Sequence, residues 1–135
     1  MNKALTLGSL AIFTVYFWFG ALKVLSLSPA SPLVLSLLDK TMPFMNPDLF
    51  LVLFGLFECL IGLLVLIPKT RKWGLRLVAL HMVTVFLPLV LLPHMVWDGL
   101  FVPTLEGQYI IKNVLIIALA VVLWKALSSS KGSQA

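Results

Sequence analysis

Four ionisable side chains stand inside long apolar runs of this sequence: Lys23, Glu58, His81 and Lys112. A charge in such surroundings is expensive, and where it is kept it usually faces a protein interior or a water-filled cavity. A carboxylate, an imidazole and two ammonium groups can hold a proton, pass it on, or donate hydrogen bonds to a ligand oxygen. Glu58 lies in GLFECLIGLLVL, residues 55–66, about ten residues from either end of its run. Lys23 and Lys112 each fall about four residues from one end of theirs, so the axial gap from either to Glu58 is on the order of 10 Å. Extended lysine and glutamate side chains nearly close that gap. His81 lies about one turn to the other side of Glu58.

Helical spacing groups these residues with particular neighbours. Gly55, Glu58 and Gly62 share one face, and two glycines beside a carboxylate let a second helix come close. Tyr16, Gly20 and Lys23 share a face in the same way, as do His81, Thr84 and Pro88. Tyr109, Lys112 and Asn113 point roughly one way, with Gln108 just outside. The expectation is one outward-opening polar pocket lined by Lys23, Glu58, His81, Tyr109, Lys112 and Asn113. In it Glu58 pairs with Lys23 or Lys112, and His81 lies below. Plainer roles stay open beside this one. Both lysines are shallow enough to snorkel to headgroups, Glu58 can be a structural ion pair or a neutral acid, and His81 a packed, locally bonded histidine. Cys59 and the methionines read as packing residues.

The elements that must position these residues follow from composition. The chain is 61% hydrophobic and 11% charged, against roughly 25% charged in a soluble domain. Apolar runs at 5–27, 49–67, 75–92 and 109–127 reach the ~20 residues a bilayer core requires, and backbone in lipid must be helical or in a closed barrel. The fold class is therefore all-α: a four-helix integral membrane bundle in one domain, 1–127, with a polar disordered tail, 128–135. The first run is longer than a signal peptide's apolar region and no clean cleavage site follows it, so it reads as a retained helix. In ASPLVLSLLDK, Ser31 can cap and Pro32 can open a short helix, expected at the membrane interface after the first span.

Lys3, the connection PKTRKWGLR (Lys69, Arg71, Lys72, Arg76), Lys125 and Lys131 fall on one side of four alternating helices, with no acid among them. The other side has Asp39, Asp48, Asp98 and Glu106 against Lys40. The positive-inside rule then puts both termini in the cytoplasm. The net charge of +5 reads as a topology signal compatible with anionic lipid, not as a nucleic-acid surface. Trp73 and Trp124 sit where an aromatic belt is expected. No P-loop, GxGxxG, HExxH or CxxC is present, and the single cysteine and two histidines offer no zinc or haem spacing. Neither a catalytic set nor a metal site is expected.

FWFGALK at 17–23, SP at 31–32, GLFECLIGLLVL at 55–66 and PTLEGQYIIKNVLII at 103–117 resemble, in order and spacing, the pattern of DoxX-like membrane proteins. The likeness is to the subfamily that includes the bacterial reactive chlorine resistance membrane proteins, and it covers about residues 5 to 125. Members commonly carry an acid where this chain has Asn113. The resemblance implies a multi-pass protein of the bacterial inner (plasma) membrane, associated with quinone-linked or thiol-linked redox systems and oxidative stress defence. It implies no single reaction. Two functions are expected from the residues and the resemblance together. One is an accessory subunit of a redox system, without autonomous catalysis, whose pocket holds a quinone, a lipid or a partner's helix. It would work in a larger membrane complex or a homo-oligomer. The other is a small proton- or ion-coupled transporter or channel using Glu58 and His81. The scarcity of breaks within the spans, Pro88 aside, weighs against this second function.

Overall fold

The structure, a computed structural model, describes residues 2–132 of the 135-residue chain. Its helices begin and end where local chemistry dictates. Asn2 Oδ1 accepts the Ala4 N–H at 2.9 Å and opens α1, Lys3–Val24. That helix closes in a Schellman motif: Leu27 N–H donates to Leu22 O, Ser26 N–H donates to Lys23 O, and Ser26 takes a left-handed φ of 58°. Helix α2 spans Ser31–Thr41 with Pro32 in its first turn. Ala30, not Ser31, holds its N-cap position, and no side chain caps it. Helix α3, Pro47–Leu66, has Asn46 Oδ1 accepting the Leu49 N–H and Asp48 in its first turn, where a carboxylate complements the helix dipole.

Helix α4 covers Arg71–Phe86, followed by the single turns α5, Pro88–Leu91, and α6, Pro93–Val96. A two-stranded antiparallel hairpin follows, β1 at Trp97–Gly99 and β2 at Val102–Pro103. Sequence patterning gave no sign of it, because its strands are too short for any periodicity. Helix α7, Leu105–Ile111, is capped by Thr104, whose Oγ1 accepts the Gly107 N–H. Helix α8 runs Val114–Gly132. Residues 128–132 were expected in a disordered tail but continue this helix. Serine is only mildly unfavourable in a helix, and Ser128 Oγ donates back to Trp124 O at 3.0 Å. The remainder of that expected tail, 133–135, lies outside the described residues.

Four helical stretches are long and apolar enough to cross a membrane: Lys3–Val24, Pro47–Leu66, Arg71–Leu91 and Leu105–Gly132. Two of them contain interruptions. At Pro88 the missing N–H leaves the ladder broken between α4 and α5. Between α7 and α8, Asn113 Nδ2 donates to Tyr109 O, the acceptor its own backbone N–H would use. That N–H turns to Ile110 O instead, which tightens the chain for one turn.

The four stretches contact one another in a ring: α1 with α3, α3 with α4, α4 with α8 and α8 with α1. Ile12, Tyr16, Ile61, Val65, Leu75, Val78, Met82 and Leu123 fill the middle. Leu7, Phe19, Leu56, Leu60, Leu80, Val83, Leu115 and Val122 are exposed on the outside. An apolar exterior on this scale is wrong for water and right for lipid. Helix α2 packs on α3 and α5, at the end away from the basic connection between α3 and α4.

Candidate functional site

The site begins with two glycines. A Cβ on Gly20 would lie 2.5 Å from Gly55 O, and one on Gly55 would lie 2.6 Å from Gly20 O. No side chain fits there, so α1 and α3 meet backbone to backbone. Lys23 stands three residues after Gly20, and Glu58 three after Gly55. Each is therefore on the contact face one turn further on, and the two side chains meet: Lys23 Nζ donates to Glu58 Oε2 at 2.8 Å. On the third stretch, a Cβ on Gly74 would lie 2.6 Å from Val65 N, so α4 also packs closely on α3. His81, two turns beyond Gly74 on the same face, reaches the other carboxylate oxygen, with Nε2 3.1 Å from Glu58 Oε1.

The network has a fourth member. Tyr16 OH lies 2.9 Å from His81 Nδ1. With Glu58 ionised, its carboxylate only accepts, and His81 Nε2 is the donor of their contact. With a neutral imidazole, Nδ1 accepts the Tyr16 O–H. Every group in the chain Lys23–Glu58–His81–Tyr16 then has a partner. Lys23, Glu58 and His81 are each 5% exposed and Tyr16 is 3% exposed. Phe54 walls the cluster, its ring centroid 5.3 Å from that of His81 and 5.9 Å from Lys23 Nζ. Such a chain can hold a proton on the imidazole and relay it between phenol and carboxylate. The ammonium has three N–H donors, and Glu58 is its hydrogen-bond partner among the described residues.

Of the six residues expected around one pocket, the structure brings together Lys23, Glu58 and His81. Tyr109, Lys112 and Asn113 stand elsewhere. Tyr109 is 59% exposed, and Lys112, also exposed, lies over the Tyr109 ring at 5.1 Å. The tightened turn at Asn113 accompanies this outward placement. Lys23 therefore takes the pairing role that two lysines were equally placed to fill. Tyr16 completes the network and was not among the expected lining residues. Its spacing from Gly20 and Lys23 already put it on the right face.

Arg71 is a second buried group whose role was not foreseen. It is 3% exposed, with Nε donating to Val65 O at 2.9 Å and Nη2 to Leu66 O at 3.0 Å. It closes the C-terminal end of α3, where carbonyls lack helical partners.

Two apolar clefts lie on other faces. One of about 330 Å³ runs along α1 beside Phe13, Phe17 and Trp18. The other, of about 120 Å³, lies between α1 and α8 beside Ile12, Leu115 and Leu119. The charged cluster lines neither. Among the described residues, no group of three His, Cys, Asp or Glu side chains converges as a metal site would need. No family model, curated protein or solved structure matches the chain.

Proposed function

We propose that the chain is a DoxX-like protein of the bacterial inner membrane, a four-helix bundle with both termini cytoplasmic. It serves a quinone-linked redox or oxidative-stress system as an accessory subunit, not as a self-contained enzyme. One observation carries this reading: a lysine, a glutamate, a histidine and a tyrosine form one continuous, buried hydrogen-bonded chain within spans built for lipid. The residues in that chain include the lysine of FWFGALK and the glutamate of GLFECLIGLLVL, two of the four motifs on which the family resemblance rests. A quinone or lipid oxygen arriving beside Lys23 takes the ammonium donors that Glu58 leaves free. His81 and Tyr16 then supply or remove a proton behind it. The partner is a larger membrane complex or further copies of the chain.

Native mass spectrometry from mild detergent, with extraction of small molecules, tests this. A stoichiometric quinone or a redox-enzyme partner, retained by the wild type and lost from Lys23→Gln, supports it. A ligand-free, partner-free protein from native membranes removes it.

A second reading, proton- or ion-coupled transport through Glu58 and His81, is favoured by a different observation. The third and fourth spans are both interrupted, at Leu87–Pro88 and at Lys112–Asn113, and broken helices are common where transporters bind their cargo. Proton-coupled flux in liposomes that Glu58→Gln abolishes would replace the accessory reading with this one.

A further inference from the structure

The basic residues between α3 and α4 do not all behave alike. Arg71 is spent on the carbonyls of α3. Arg76 is exposed, five residues inside the span that begins at Arg71, which is about 7.5 Å along the helix. Its guanidinium carbon lies 4.6 Å from the Trp73 ring centroid and 5.5 Å from that of Trp124. One turn earlier on the same face, Lys72 Nζ lies 5.3 Å from the Trp124 ring. Two cations on α4 thus converge on one indole of α8, with a second indole bracketing the arginine.

Among the described residues these cations have aromatic faces but no anion. Among the described residues, Arg76 and Lys72 make no side-chain hydrogen bond, and the ion pairs present both belong to Glu58. The other acids, Asp39 in α2, Asp48 in the first turn of α3, Asp98 in β1 and Glu106 in the first turn of α7, lie at the opposite end. A guanidinium at the edge of a hydrocarbon layer requires an acceptor for its N–H fork. Besides water, the acceptor a membrane offers near that depth is a phospholipid phosphate, which a planar arginine fork binds in bidentate fashion.

We infer that Lys72, Arg76, Trp73 and Trp124 form a binding site for the phosphate of an anionic phospholipid in the leaflet at the basic end of the protein. The lipid's acyl chains lie along the apolar outer faces of α4 and α8. The inference rests on membrane insertion and is independent of what the Lys23–Glu58 cluster binds.

The test is lipid retention by the full chain in nanodiscs of phosphatidylcholine doped with phosphatidylglycerol, read by native mass spectrometry. The wild type should keep phosphatidylglycerol in preference to phosphatidylcholine. Each charge-assisted contact to the bound phosphate contributes on the order of tenfold, so Lys72→Gln/Arg76→Gln should lose on the order of a hundredfold. Lys3→Gln/Lys131→Gln, which removes as much charge from the same side, should retain the lipid. Arg76→Lys, which keeps the charge at this exposed position but not the fork, should lose an intermediate amount. Equal retention by Arg76→Lys and the double glutamine variant with the wild type overturns the site. So does equal loss in the Lys3/Lys131 control, which would mean diffuse attraction. Displacement of the lipid by millimolar inorganic phosphate overturns it too, since the site would then read free phosphate and not a lipid.

Discussion

Gly20 and Gly55 stand backbone to backbone across α1 and α3, each closer to the other's carbonyl oxygen than a side chain allows. Their contact sets the depth and angle at which Lys23 meets Glu58 one turn away. Gly20→Ala or Gly55→Ala must push the helices apart, because backbone atoms cannot rotate away as a side chain can. The expected cost is about 1–3 kcal/mol, together with a lengthened Lys23–Glu58 contact. Thermal unfolding in detergent measures it. Gly132→Ala, where a Cβ meets nothing within 4 Å, should leave the transition in place.

Lys23 and Glu58 form a buried pair, so removing one partner should hurt more than removing both charges. Glu58→Gln leaves an ammonium in an apolar site and should cost about 3–5 kcal/mol. Adding Lys23→Met to that variant removes the stranded charge, while the introduced amide oxygen can still accept from His81. The double variant should therefore regain much of the lost stability. If a function is measured alongside, it should stay lost, which separates a working site from a merely structural bridge.

Tyr16 holds His81 at Nδ1, opposite the nitrogen that faces Glu58. Tyr16→Phe keeps the ring and deletes the donor, leaving Nδ1 without a partner in a buried site. The expected loss is about 1–3 kcal/mol. A changed nitrogen-15 resonance for His81 Nδ1 is the specific signature, since a packing role for the tyrosine would leave that resonance alone.

Lys112 is exposed and lies outside the network. Lys112→Gln should leave the melting temperature unchanged, whereas Lys23→Gln should lower it clearly. An equal response would mean that both lysines share Glu58.

Arg71→Lys keeps the charge that the positive-inside rule counts but cannot reach Val65 O and Leu66 O with the same planar fork. Stability should fall by about 1–2 kcal/mol, with no change in the accessibility of the termini to membrane-impermeant labels.

The sequence by itself determined the class of molecule. Apolar runs of bilayer length admit only helices, so the four spans and their approximate limits follow from composition and the requirement that backbone bonds close internally. Helical spacing also placed Gly20 with Lys23, Gly55 with Glu58 and Tyr16 with Lys23, because residues three, four and seven apart share a face whatever the fold.

Only the tertiary structure decided which faces meet. Lys23 and Lys112 sit at equal depth in the sequence, and depth cannot choose between them. The choice came from the close contact of α1 with α3, which two opposed glycines permit, and from the outward placement of Lys112 beside the tightened turn at Asn113. Arg71 and Arg76 likewise read as equivalent charges. One became an internal cap and the other a stacked surface cation, because five residues on a helix turn a side chain by well over a right angle.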